Sequence, residues 1–186
     1  MSRPLKKGAT YADLCAVPEN FVAEIIGGEL YASPRPAPRH SVAASVLGGT
    51  LMGPFHLGEN GPGGWWLLDE PELHLDADVL VPDIAGWCRE RMPAVPSAAY
   101  FTLAPDWVCE VLSPSTETID RGKKLAIYAR EGVRNVWLVN PLLQTLEVWR
   151  LVSERWSLVV VHEGSTTVRA EPFDAIELAL GGLWTE

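Results

Sequence analysis

The sequence predicts an α/β (α+β) fold, with strands crossed by helices and β-hairpins at both ends, in a single domain over residues 1–186. Three observations predict it. Residues 105–140 run strand, turn, helix, strand, an order that makes a crossover unit with two strands in one sheet. Near the start, apolar-rich runs at 21–26 and 29–32 flank Gly27-Gly28, a hairpin signal. Near the end, residues 145–152 and 155–162 form a second strand pair.

The chain of 186 residues is long enough to bury a sizeable core, and 47% hydrophobic with 21% charged residues is an ordinary globular balance. No apolar run reaches the length of a membrane span, and the first residues lack a secretory block, so the expected location is the cytoplasm, away from membranes. Cys15, Cys88 and Cys109 have no metal-ligand spacing and are expected as reduced thiols. A net charge of −9 counts against a broad, non-specific grip on nucleic acid. The charge is uneven, however. Residues 69–83 hold six carboxylates and no Lys or Arg, whereas residues 113–134 hold five bases against three acids. Acids converging on one place are tolerated when a divalent cation sits among them.

Residues 1–9 are polar and basic, and are expected to be flexible. Thr10 caps a short helix, and the hairpin around Gly27-Gly28 follows, with Glu24 in its first arm. Val42, Val46, Leu47 and Leu51 recur at near-helical spacing, which predicts a helix over about 40–52 despite Gly48-Gly49. Residues 53–64, with five glycines and two prolines, read as a mobile loop. Strands are expected at 65–68, 73–75 and 79–87, the last interrupted by Pro82. Residues 89–104, broken by Pro93 and Pro96, read as a connection that orders on binding. The eight tryptophans are scattered through strands and are expected to cover sheet and core.

Glu110 is the anomaly of the crossover unit. It interrupts an apolar run, and a carboxylate there must be paired, protonated or bound to a cation. Asp83 lies 27 positions earlier, on the preceding strand. Two carboxylates on neighbouring strands can both reach one Mg²⁺ or Mn²⁺, which would polarise a phosphodiester and acidify a bound water. Lys124 falls beside Leu125 and Tyr128 at the edge of the helix's apolar stripe, placed to supply an ammonium. Simpler alternatives stand beside each residue: an ion pair between Asp120 and Lys124, an Arg134 partner for Glu110, a turn at Asp83 and a solvent-facing Glu24. The four histidines have no zinc spacing, and there is no nucleophile elbow or P-loop.

Pro82-Asp83, the string from Glu110 to Thr116 (Glu-Val-Leu-Ser-Pro-Ser-Thr), Asp120 to Tyr128 and Gly132 to Pro141 together resemble the Uma-two family, described as restriction endonucleases of the PD-(D/E)xK superfamily. The resemblance runs over about 21–150. It implies a restriction-endonuclease-like mixed sheet flanked by helices and a divalent-metal site. Asp83 matches the Asp of the Pro-Asp motif, Glu110 the acid of the second half, and Glu24 an additional acid. The superfamily lysine is expected two positions after the acid, where this chain has Leu112, and Lys124 on the next helix takes its place. The implied activity is Mg²⁺- or Mn²⁺-dependent hydrolysis of DNA, with Asp83 and Glu110 as metal ligands and Lys124 and Glu24 assisting. Arg121, Lys123, Ser113, Ser115 and Thr116 are the expected phosphate contacts. The alternative is a non-catalytic module that keeps this fold and acts through a protein partner or as a homodimer.

Overall fold

In the computed structural model, which describes residues 3–184, two sheets share one core. The smaller begins with the expected hairpin, β2 (Phe21–Ile26) and β3 (Glu29–Pro34). Gly27 and Gly28 turn it at φ +61° and +73°, angles that cost a side chain dearly and glycine little. Strand β1 (Lys6–Lys7), which precedes the short helix α1 (Tyr11–Cys15), together with β5 (Leu73–Leu75) and β6 (Asp78–Leu80), completes it in the order β1-β3-β2-β6-β5.

The larger sheet holds β4 (Trp65–Asp69), β7 (Ile84–Cys88), β8 (Trp107–Val111), β9 (Asn135–Asn140), β10 (Thr145–Val152) and β11 (Arg155–Glu163). Its order is β11-β10-β9-β8-β7-β4, and only β8 and β9 run parallel. That pair is the crossover unit, closed by α3 (Glu117–Ile119), a π-helical turn (Asp120–Lys124) and α4 (Leu125–Arg130). The mixed sheet and flanking helices agree with the sequence reading.

The central strands of the larger sheet, β7, β8 and β9, are buried on both faces. Ala85, Trp87, Val108 and Leu112 face a core shared with α4 and the smaller sheet. Ile84, Trp107, Cys109 and Val111 face a second core with α2 (Pro38–Leu51), Phe55 and residues near the C-terminal end, such as Phe173 and Leu180. Trp87, Trp107 and Trp137 are fully buried, so tryptophan fills the core as expected.

Three expectations need correction. Residues 5–9 are not left loose: Leu5 N–H donates to Leu30 O at 2.7 Å and Ala9 N–H to Gly28 O at 2.9 Å, so their backbone extends the hairpin edge while lysines face solvent; Met1 and Ser2 lie outside the described residues. The strand read at 79–87 is two strands in different sheets, because Pro82 has no N–H and the chain changes sheet there. The loop read at 53–64 begins as a π-helical turn (Met52–Leu57) that continues α2, with Phe55 in the core and Gly58 ending it at φ +76°. The connection at 89–104 is anchored near its end by Phe101, which bridges to Leu73 and stacks on Trp87 with centroids 4.6 Å apart, while residues 93–99 are exposed.

Candidate active site

Alternation along β8 sends Val108 and Glu110 to the same face, beneath α4. Glu110 is therefore buried where an apolar residue would ordinarily sit. Its partners come from the helical side of the crossover. Lys124 Nζ lies 3.0 Å from Oε1 and 3.1 Å from Oε2, and the Tyr128 hydroxyl donates to Oε1 at 2.5 Å. Arg134, the alternative partner, instead points toward Asp106.

Lys124 gathers further acids. Its Nζ is 2.9 Å from Glu24 Oε1 on β2 and 3.6 Å from Asp120 Oδ1, so the ion pair with Asp120 and the one with Glu110 coexist. Glu24 also accepts the Val81 N–H at 2.8 Å. Thus a single ammonium joins the hairpin, the central strand and the crossover helix. The π-helical turn carries both Asp120 and Lys124 into the interior, a position of the kind where such turns recur.

Asp83 stands at the sheet change, just before β7. Its Oδ2 accepts the Val111 N–H at 2.6 Å, and its Oδ1 lies 3.2 Å from His40 Nε2. Glu24, Asp83, Glu110, Asp120 and Lys124 line one cleft of about 370 Å³. Ser113, Ser115 and Thr116 line its mouth, with Ser113 Oγ 2.9 Å from Ser115 Oγ and 3.0 Å from Thr116 Oγ1. Arg121 and Lys123 do not join this cleft. Arg121 makes a two-pronged pair with Glu147 and a further pair with Glu117, and Lys123 reaches Glu29 and the Tyr31 hydroxyl.

The electrostatics follow from burial. Desolvation pushes the Glu110 carboxyl well up, Lys124 pulls it back, and Asp120, Asp83 and Glu24 add to the rise. Asp120 is raised to about 6, again by burial first, against the pull of Lys124. Burial alone would lower Lys124, but Glu110 and Glu24 outweigh it and hold the ammonium charged.

Five acids line the cleft (Glu24, Glu70, Asp83, Glu110, Asp120) against two permanent cations, Arg35 and Lys124. That excess of hard oxygen donors fits Mg²⁺ or Mn²⁺, which bind through one or two carboxylates and retain water. Among the described residues, no group of three or more His, Cys, Asp or Glu side chains is arranged to hold a metal ion. Asp83 and Glu110, which line the same cleft, are the carboxylates that could donate to such an ion in an open site.

Three contributors escaped the sequence reading as site residues. Asp120 figured only as an alternative partner for Lys124, Tyr128 only as part of the apolar stripe, and His40 only as one of four histidines without zinc spacing. The i, i+4, i+8 run Asp120-Lys124-Tyr128 was the available signal, since those residues share one side of a helix.

Comparison with known proteins adds two findings. A family model named Uma2, described as "Putative restriction endonuclease", matches residues 9–181. Among solved structures, "a putative nuclease belonging to DUF820" from Anabaena variabilis superimposes with a TM-score of 0.75 at 23% identity, covering 94% of this chain and 97% of that one. No curated protein matches the sequence. No helix among the described residues is long and apolar enough to cross a membrane.

Proposed function

The chain belongs to the Uma2 family, and from that premise we propose that it is a divalent-metal-dependent endonuclease that hydrolyses DNA phosphodiester bonds. The observation that carries this reading is the convergence of Glu24, Asp83, Glu110, Asp120 and Lys124 on one cleft. Asp83 and Glu110 would hold Mg²⁺ or Mn²⁺, which when bound polarises a phosphate and makes a water more acidic. Lys124 places a fixed positive charge 3.0 Å from Glu110, where it offsets the charge that builds on a phosphate oxygen. Glu24 keeps that ammonium in place from the opposite sheet. The hydroxyls of Ser113, Ser115 and Thr116 meet the substrate backbone at the cleft mouth. Arg121 and Lys123, outside the cleft, contact only flanking phosphates in this reading.

Cleavage of single- and double-stranded DNA with Mg²⁺ or Mn²⁺ tests it. Asp83→Asn and Glu110→Gln should each lower the rate by about 100-fold or more while the chain stays folded. Wild-type protein that leaves every DNA intact with both ions would refute it.

One observation favours a second reading. Both Glu110 oxygens are already engaged by Lys124 and Tyr128, as in a site kept for structure. The edge strand β11 meanwhile exposes Leu158, Val159 and Val161. In this reading the chain is a non-catalytic module that acts through a partner or a second copy. Sedimentation equilibrium showing a dimer, together with no cleavage, would favour it.

A further inference from the structure

Asp83 is held from two directions. The backbone of β8 fixes Oδ2 through the Val111 N–H at 2.6 Å. Oδ1 faces His40 Nε2 at 3.2 Å. His40 belongs to the first turn of α2, whose Ala43 and Leu47 anchor it in the core beneath the larger sheet. The imidazole is only 12% exposed, and its other nitrogen, Nδ1, is buried with no hydrogen-bond partner among the described residues. Asp83 is thus the ion-pairing partner of a ring whose burial costs free energy unless its polar atoms are used. The pair also sits where the main cleft meets a side pocket of about 180 Å³, and both residues line both cavities.

We propose that His40 is a positioning residue, which holds the Asp83 carboxylate in the orientation that accepts a divalent cation. A carboxylate gripped at Oδ2 alone can still turn about its terminal bond; gripped at both oxygens it presents its remaining lone pairs in one direction. Such partners behind a metal-binding carboxylate fix its geometry and raise affinity for the ion. The 3.2 Å approach of the imidazole to Oδ1 supplies the second of these grips. The inference rests on the reading of Asp83 as a metal-binding side chain.

The test is calorimetric titration of Mn²⁺ alone, without DNA, into wild-type protein and into His40→Ala, His40→Gln and Leu47→Ala. His40→Ala should weaken Mn²⁺ binding by about 10–100-fold. His40→Gln, which offers an N–H at similar reach, should recover most of that loss. Leu47→Ala, which opens a cavity in the same helix interface, should lower the thermal midpoint yet keep the wild-type affinity. If His40→Ala does not fold, Gln against the shorter His40→Asn makes the comparison, and Asn should bind more weakly. Wild-type affinity in His40→Ala, or an equal loss in Leu47→Ala, would overturn the positioning role while leaving the metal site standing. Absence of Mn²⁺ binding in wild-type protein would remove the metal site and the positioning role together.

Discussion

At the scale of single residues, the cleft poses a charge problem. Glu24, Glu110 and Asp120 surround one ammonium, that of Lys124, in a place from which water is largely excluded. The acids cannot all ionise without cost. Asp120 shows the result, with its carboxyl raised from 3.8 to about 6 by burial, despite Lys124 and a bond from Thr116, and with Glu24 and Asp83 adding to the rise. The folded chain thus holds this proton more tightly than the unfolded chain. The resulting stabilisation is fully present below about pH 4 and is lost as pH rises through 6. Asparagine cannot titrate, so the stability difference between Asp120→Asn and wild type should shift in favour of the variant, on the order of 2 kcal/mol between pH 4.5 and 7. Urea unfolding at three pH values measures it. A difference that stays flat, or moves toward wild type, would show that Asp120 is an ordinary ionised carboxylate.

At the scale of elements, Gly48-Gly49 separates what the sequence reveals from what it hides. Two glycines in a helix argue against that helix. In the structure their roles differ. A Cβ on Gly48 would lie 3.1 Å from Asp69 Oδ1, so the missing side chain lets α2 approach β4 closely there, whereas Gly49 faces open space. Gly49→Ala should therefore stabilise the chain by about 0.5–1 kcal/mol, and Gly48→Ala should give none of that gain. Thermal melts of the two variants decide the matter, and equal gains would contradict the close approach. The hairpins and the crossover were legible because turn glycines and apolar periodicity are local signals. Glu110 was legible as a charge out of place. The sheet change at Pro82 was not, since a proline in an apolar run looks the same whether the strand pauses or leaves its sheet. The roles of Arg121 and Lys123 were hidden because Glu147 and Glu29, their partners, come from distant strands. His40 was hidden because its one signal, proximity to Asp83, exists only after folding.

At the scale of the whole molecule, the cleft is the seam between the two sheets. Glu24 belongs to the smaller sheet and Glu110 to the larger, and Lys124 ties them from the crossover helix. Like charges crowd this seam in a chain of net charge −9, so the fold carries a local repulsion that one lysine only partly offsets. A divalent cation held by Asp83 and Glu110 would relieve the repulsion and bind the folded chain alone. Mass action then links binding to stability: an ion at 100 times its dissociation constant adds about 2.7 kcal/mol. For a domain of this size, that corresponds to a rise in thermal midpoint of roughly 5–11 °C. Mn²⁺ or Mg²⁺ should therefore raise the midpoint of wild-type protein in a concentration-dependent way, while an equal charge concentration of Na⁺ should not. Asp83→Asn should melt with little response to either divalent ion, because it removes one of the two ligands. Differential scanning calorimetry across an ion series reads this directly. A midpoint in wild-type protein that ignores millimolar Mn²⁺ and Mg²⁺ would mean that Lys124 alone balances the seam, and the second reading, a nuclease fold kept for association, would then replace the first.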